Sequence, residues 1–461
     1  MADTSVADPS IVIVGAGPAG ARAAERLVEA GLRPVVVDEA RESGGQIYRR
    51  QPCQFHRPPA RLYGFEAKKA TALHHMFDAL VPRIDYRPET LAWNIYEGAI
   101  HLQHLMQSEA LRFDALILSP GATDRIMPLP GWTLPGVYSL GGAQIALKAQ
   151  ACAIGARPVF LGTGPLLYLV AYQYARHHAP PAAVLDVSPF SPRLAALPSL
   201  SARPSMLAKG LYYSAWLAAH RIPLLSGITP LSITGSGRVG KIHFRDSAGR
   251  ERALACDAVG LGYGLRSETQ LADLARADFA FDSLSRQFLP VTDENGRTSV
   301  PGIYLAGDGA RIAGADAAEL AGRLAACAVL VDLGRSVPET EMASLSRRLA
   351  RMARFRAGLE HAFPFPAHLA ANLPDETLVC RCEAITAGEI RRAASALGAP
   401  EVNRAKALVR VGMGRCQGRY CGLAGAEVLA AARFVPLAEV GRLRGQAPVK
   451  PLPVAIESAA P

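Results

Sequence analysis

One segment near the start of the chain constrains the fold more than any other. The β-branched run Ile11-Val12-Ile13-Val14 leads into Gly15-Ala16-Gly17-Pro18-Ala19-Gly20; helix-forming residues 21–30 follow, and the apolar run 34–37 ends at Asp38. Strand, glycine turn, helix and a strand closing on an acid make the βαβ opening of a dinucleotide-binding module. Gly15 permits the tight turn, Gly17 lets a pyrophosphate approach the backbone, and Gly20 lets helix and strand pack closely. Pro18 and Ala19 open the helix, whose N-terminus carries partial positive charge suited to phosphate. Asp38, with Glu39 beside it, is placed to accept hydrogen bonds from an adenosine ribose.

A second unit of the same kind follows. Pro158-Val159-Phe160-Leu161 leads through Gly162-Thr163-Gly164 and an apolar helix over 165–177 to Ala183-Val184-Leu185, which ends at Asp186. Between the two units, the buried-type strand 113–118 runs into Ser119-Pro120-Gly121, and residues 257–262 echo it. The chain returns to strand at 302–306, followed by Gly307-Asp308-Gly309 and a helix-rich stretch over 314–333. This order predicts an α/β chain of two doubly wound modules, the first split into 8–145 and 285–345 by a second at 146–284. Residues 345–360 read as an amphipathic helix, with Leu345, Leu349, Met352, Phe355 and Leu359 on one side and Arg347, Arg348, Arg351 and Arg354 mostly on the other. Residues 346–376 read as a helical linker, in which 364–374 is the connecting segment before the cysteine cluster, and the Pro-rich 433–461 as an extended arm.

Which dinucleotide binds is decided downstream of the first acid. Gly44-Gly45-Gln46 follows it closely, and Gly307-Asp308 could set a carboxylate on a ribityl hydroxyl, which flavins have and nicotinamides lack. FAD is therefore expected, with Gly121 and Ala318 on the same pocket. With these motifs, residues 8–335 resemble thioredoxin reductase and related pyridine-nucleotide oxidoreductases. That resemblance implies that the helix opening at 314–318 points its positive end at the flavin pyrimidine ring and stabilises the anion of reduced flavin.

Two departures from that family limit what the resemblance implies. Cys53 and Cys152 each stand alone, without the C-x4-C or C-x-x-C pair of a disulfide reductase, so disulfide reduction is not expected. In the second motif, Gly162-x-Gly164-x-x-Leu167, a bulky leucine replaces the third small residue and should push helix from strand or alter the pocket. Three readings of that module stay open: NAD(P)H binding, with Asp186 favouring NAD; an adenine nucleotide without hydride transfer; or a fold kept for structure. The last two together are preferred.

Four of the eight cysteines, Cys380, Cys382, Cys416 and Cys421, cluster near the C-terminus. Residues 1–10 hold two aspartates and no basic segment, so a secretory signal is not expected, and a cytoplasmic chain uses such a cluster for metal rather than disulfides. Four thiolates suit zinc or a [2Fe-2S] cluster; Cys380-x-Cys382 does not match a zinc knuckle, which favours iron and sulfur. Thr386-x-x-Glu389 is a capping box opening a helix that Gly398 can end, and a second helix over 422–432 starts beside Cys421. Arg381, Arg415 and Arg419 neighbour the ligands and would raise the potential of an anionic cluster if they face it. Residues 378–432 closely resemble the bacterioferritin-associated-ferredoxin-like [2Fe-2S] domain, which gives a small helical C-terminal domain at 377–432.

A flavin takes two electrons as a hydride and a cluster passes one at a time, so the pair makes the chain an oxidoreductase. The whole order, including the segments 131–137 and 141–144, resembles the large electron-transferring subunit of opine oxidase, hydrogen cyanide synthase and D-hydroxyproline or proline dehydrogenase complexes. That resemblance implies a partner subunit of the amino-acid-oxidase type that oxidises the C–N bond, a small ferredoxin-like subunit in some complexes, and a respiratory acceptor. None of the 11 histidines sits in a catalytic constellation, and His74-His75 and His177-His178 read as helix-surface residues. The alternatives are a self-contained NAD(P)H-dependent reductase of a ferredoxin-like acceptor and a redox-sensing binding module. The 50 Lys+Arg against 40 Asp+Glu leave +10, which fits an electron-transfer surface rather than nucleic acid. No apolar run is long enough to span a membrane, so any membrane contact is expected to be peripheral.

Overall fold

Short Ile/Val/Leu runs without polar alternation need cover on both faces, which a parallel sheet between helices supplies. In the computed structural model they become central strands. In chain order, β1 (Ile11–Val14), β2 (Val35–Val37), β3 (Asp85–Arg87) and β4 (Ala115–Leu118) start a first sheet. A second is built by β5 (Val137–Ser139), β6 (Pro158–Thr163), β7 (Ala183–Asp186), β8 (Leu224–Ser226) and β9 (Ala258–Tyr263), and β10 (Ile303–Leu305) returns to the first. The orders are β10-β4-β1-β2-β3 and β8-β7-β6-β9-β5, parallel throughout. The structure describes residues 9–453; the acidic start of the chain and the last residues of the arm lie outside the described residues.

The helices used below are α1 (Pro18–Glu29), α2 (Ala67–Leu80), α3 (Leu140–Ala149), α4 (Pro165–Arg176), α5 (Pro204–Ala219), α6 (Ala315–Asp332), α7 (Glu339–Ala362), α8 (Ala387–Ser395), α9 (Val402–Val409) and α10 (Gly422–Arg433). α1 and α6 pack on the first sheet in close contact: a Cβ on Gly322 would lie 1.9 Å from the Ala19 carbonyl oxygen. Leu345 of α7 packs with Leu320 and Leu324 of α6, and Phe355 and Ala362 pack with Ala196 and Leu200 of the second module. α7 therefore straddles both modules, while Arg347, Arg348, Arg351 and Arg354 face solvent. Among the described residues no helix is long and apolar enough to cross a membrane.

Three expectations change. β5 pairs with β9, so the second sheet begins ahead of residue 146; a three-residue edge strand is too short for its periodicity to mark it. Residues 364–374 are more than a connecting linker: they contain the short helix His368–Ala371, and Ala370 and Leu373 are buried in the core shared with the cysteine domain. The C-terminal arm is docked. Leu437, Val440 and Val449 are buried, Val449 donates its amide to the Trp93 carbonyl at 3.1 Å, and Asp273 holds Arg442 at 2.7 and 2.8 Å.

Candidate functional site: a flavin cradle and a four-thiol centre

The loop after β1 is shaped by approaches that only glycine allows. Gly15 has φ +99°, and a Cβ there would lie 2.4 Å from the Ser119 carbonyl oxygen; a Cβ on Gly20 would lie 1.8 Å from the Gly15 oxygen. The Ala16 amide donates to one Asp38 oxygen at 2.5 Å and the Ala40 amide to the other at 2.7 Å. Burial pushes the Asp38 carboxyl upward while those two amides oppose it. The Gly44 amide donates to the Ala16 carbonyl at 2.9 Å, which brings Gly45 against Gly17. Gln46 accepts from Arg49 at 2.8 Å, and Glu39 pairs with Lys450 of the arm.

The late segment closes the same cradle. A Cβ on Gly307 would lie 2.9 Å from the Ala19 Cβ and 3.2 Å from that of Ala318. Asp308 accepts the amides of Ala313 and Gly314 at 2.8 and 3.0 Å, which sets the entry to α6. By contrast, a Cβ on Gly121 or Gly314 would meet nothing within 4 Å. Crowded backbone beneath and open space at Gly121 and Gly314 fit a dinucleotide lying along the loop. Gly15, Gly17, Pro18, Ala19, Gly20, Asp38, Gly45, Gly121, Gly307, Asp308 and Ala318 thus line one region.

Sequence reasoning missed Lys148. It stands at the end of α3 and is almost fully buried, with Nζ donating to the Ile47 carbonyl at 3.0 Å, next to Gly45-Gln46. Burial lowers its amine to about 8. The signal in the sequence was a lysine near the end of a largely apolar helix.

The second module looks similar in backbone and different in chemistry. A Cβ on Gly162 would lie 1.6 Å from the Gly262 oxygen, and Leu167 is accommodated inside the module's core rather than in the loop. Asp186 is fully buried and already has three donors: the Tyr168 hydroxyl at 2.8 Å, the Ser188 amide at 2.8 Å and Arg193 at 2.6 Å. Arg193 in turn lies 4.8 Å from the ring centre of Phe363, just beyond α7.

The cysteines come together. The Cys421 thiol hydrogen-bonds to Cys380 and Cys416, and Cys382 to Cys416. As acceptors, Cys380 is lowered to about 6 and Cys416 to about 5, whereas Cys421, the donor, is pushed well up. The thiols form a chain of contacts, and among the described residues no three or more His, Cys, Asp or Glu side chains are set around a single metal-ion position. Four cysteine side chains brought together from Cys380, Cys382, Cys416 and Cys421 are the donor chemistry of an iron–sulfur cluster. The expected capping box at Thr386 and Glu389 forms, and α10 begins directly after Cys421. Cys380 and Cys421 are buried, Cys382 is exposed, and Cys53 and Cys152 stand free and exposed elsewhere.

Of the three neighbouring arginines, Arg381 lies over Trp132 and Tyr420, and Arg415 is exposed. Arg419 is buried and bound to Glu268 at 2.7 Å, while the Glu268 amide donates to the Gly121 carbonyl at 3.0 Å. His74 and His177 are half-buried, each on a backbone carbonyl.

Residues 9–322 match the family model described as pyridine nucleotide-disulphide oxidoreductase, and residues 378–431 match the BFD-like [2Fe-2S] binding domain. The chain belongs to the pyridine nucleotide-disulphide oxidoreductase family. Within it, the chain is 38% identical to an opine oxidase subunit of Agrobacterium tumefaciens, covering 96% of this chain and 90% of that protein. It is 32% identical to hydrogen cyanide synthase subunit HcnB of Pseudomonas aeruginosa, covering 96% of each. An L-proline dehydrogenase of P. horikoshii shares the fold with TM-score 0.72 at 18% identity, over 97% of this chain and 78% of that one. Thioredoxin reductase of T. acidophilum shares it at TM-score 0.52 and 20% identity, over 71% of this chain and 99% of that one. As a member of this family the chain is an FAD-dependent oxidoreductase, and its two domains imply FAD and a [2Fe-2S] cluster.

Proposed function

We propose that this chain is the electron-transfer subunit of a heteromeric dehydrogenase acting on amino acids or amines of the opine, proline, hydroxyproline or glycine type. In this reading electrons arrive from a partner flavoprotein of the amino-acid-oxidase type and leave to a respiratory acceptor. FAD is held by the 15–20 loop, Asp38, Gly45, Gln46, Gly121, Gly307, Asp308 and Ala318, and the cluster by Cys380, Cys382, Cys416 and Cys421. When bound, FAD accepts electrons in pairs and the cluster passes them singly. The chain's own residues bind and orient: the N-terminus of α1 would offer its partial positive charge to phosphate, Asp308 sets the entry to α6, and Lys148 holds a cation beside Gly45-Gln46.

The observation that carries this reading is that cradle and thiol centre share one chain and one buried link, Gly121 to Glu268 to Arg419. The relatives are themselves named as subunits, which supports a partner. We place the chain in the cytoplasm with at most peripheral membrane contact. The second module serves structure or an adenine nucleotide in this reading: Asp186, the acid that a ribose would need, is already satisfied by three internal donors. A self-contained NAD(P)H reductase is correspondingly disfavoured. Co-expression with an amino-acid-oxidase-type protein tests the proposal. A stable complex that reduces a dye with an amino acid, where the isolated chain does not, supports it; full substrate-dependent dye reduction by the isolated chain overturns it.

A further inference from the structure

Resting on the reading of a cluster at the four thiols, we infer that Glu268 and Arg266 are opposing positioning charges that set the cluster's redox potential. Residues Leu265–Ser267 form a strand paired antiparallel with Ala122–Asp124, Ser267 opposite Ala122, so the segment leads directly off the flavin loop. At its end the Glu268 amide donates to the Gly121 carbonyl at 3.0 Å. The Glu268 carboxylate meets Arg419, in the loop between Cys416 and Cys421. It accepts from Arg419 Nε at 2.7 Å, with a second contact at 3.3 Å from the Gln270 amide.

Arg419 lies between the ligands Cys416 and Cys421 in sequence, and its amide and guanidinium both reach the Cys416 carbonyl, at 3.1 and 3.5 Å. Arg266 reaches the same loop from the flavin side, donating to the carbonyls of Gly418 and Arg419 at 3.4 and 3.0 Å. Among the described residues no carboxylate lies within ion-pair distance of Arg266, whereas Arg419 has Glu268. Burial works to raise the Glu268 carboxyl, but Arg419 and Arg266 hold it below its usual range, so it is ionised.

Two cations and one anion therefore border the thiol loop at low exposure, where screening by water is weak. Such a buried trio is a poor device for stability alone, since apolar side chains of similar volume would hold the domains together as well. Its distinctive effect is electrostatic. One-electron reduction adds one negative charge to the cluster. Arg266 and Arg419 favour that charge, and Glu268 opposes it.

The test is a redox titration of the full chain carrying its cluster, read by low-temperature EPR and by the cluster's absorption. Glu268→Gln should raise the midpoint potential, Arg266→Gln should lower it, and Arg266→Lys, which keeps the charge, should restore most of the wild-type value. A role in packing alone predicts no shift, or shifts of one sign in both variants, and either result overturns the inference. If Glu268→Gln fails to retain the cluster, the comparison of Arg266→Gln with Arg266→Lys decides in its place: equal potentials overturn the inference and separated ones support it. A wild-type chain that takes up no cluster overturns the proposed function as well; a cluster present without opposing shifts overturns this inference alone.

Discussion

Trp132 Nε1 donates to the Leu378 carbonyl at 2.6 Å, which ties the segment between the two Rossmann modules to the strand that carries Cys380. The indole is buried, so the bond is shielded from water. Trp132→Phe keeps an aromatic ring and removes the donor, leaving the Leu378 carbonyl short of a partner. The expected cost is about 1–2 kcal/mol, with earlier loss of cluster absorption on heating than of global helix signal.

Asp186 and Arg193 give a second prediction. Arg193→Met should leave a buried carboxylate without its cation and destabilise the chain by about 3 kcal/mol in urea unfolding. Wild-type protein mixed anaerobically with NADH should show no rapid bleaching of the flavin band, because the Asp186 carboxylate is already satisfied by three internal donors. Rapid bleaching would revive the NAD(P)H reading.

Lys148 predicts a pH effect in the FAD-free chain. Its folded pKa of about 8 lies below an unfolded lysine's usual value, so between the two the unfolded chain binds more protons. Stability contributed by this group therefore rises as pH rises through 8 toward the ordinary lysine range, by up to about 3 kcal/mol, and is flat below. Lys148→Met should remove that rise. Guanidinium unfolding at several pH values reads it.

Asp273 anchors the C-terminal arm through Arg442, Arg444 and the Gly445 amide. Burial works to raise this carboxyl, yet Arg442 and the Gly445 amide hold it below its usual range. A depressed carboxyl contributes stability that is present above the unfolded range and is lost as pH falls through the folded value. Asp273→Asn should therefore expose residues 440–450 to limited proteolysis at neutral pH, and acid should do the same to the wild type.

Much of this architecture was legible because it follows from local chemistry. The Gly15-x-Gly17-x-x-Gly20 turn and Asp38 lie within one βαβ unit, and Thr386 with Glu389 caps its own helix, so spacing alone exposes them. What stayed hidden depends on partners distant in the chain. Glu268 and Arg419 meet across 151 positions, Lys148 and Ile47 across 101, and no periodicity announces either contact. Asp186 was visible as a strand-end acid, but its closure by Arg193 and the stacking of that arginine on Phe363 required the fold.

Electrons from an amino acid, in the function proposed above, reach this chain's cluster only through a partner. The most direct measurement mixes the purified complex, anaerobically, with proline, hydroxyproline, glycine or an opine and follows flavin absorbance together with the EPR signal of the reduced cluster. At least one of these substrates should produce the cluster signal in the complex, and none should do so in the isolated chain. A complex whose flavin is reduced while its cluster stays oxidised, or an isolated chain fully reduced by substrate, would contradict the proposed function.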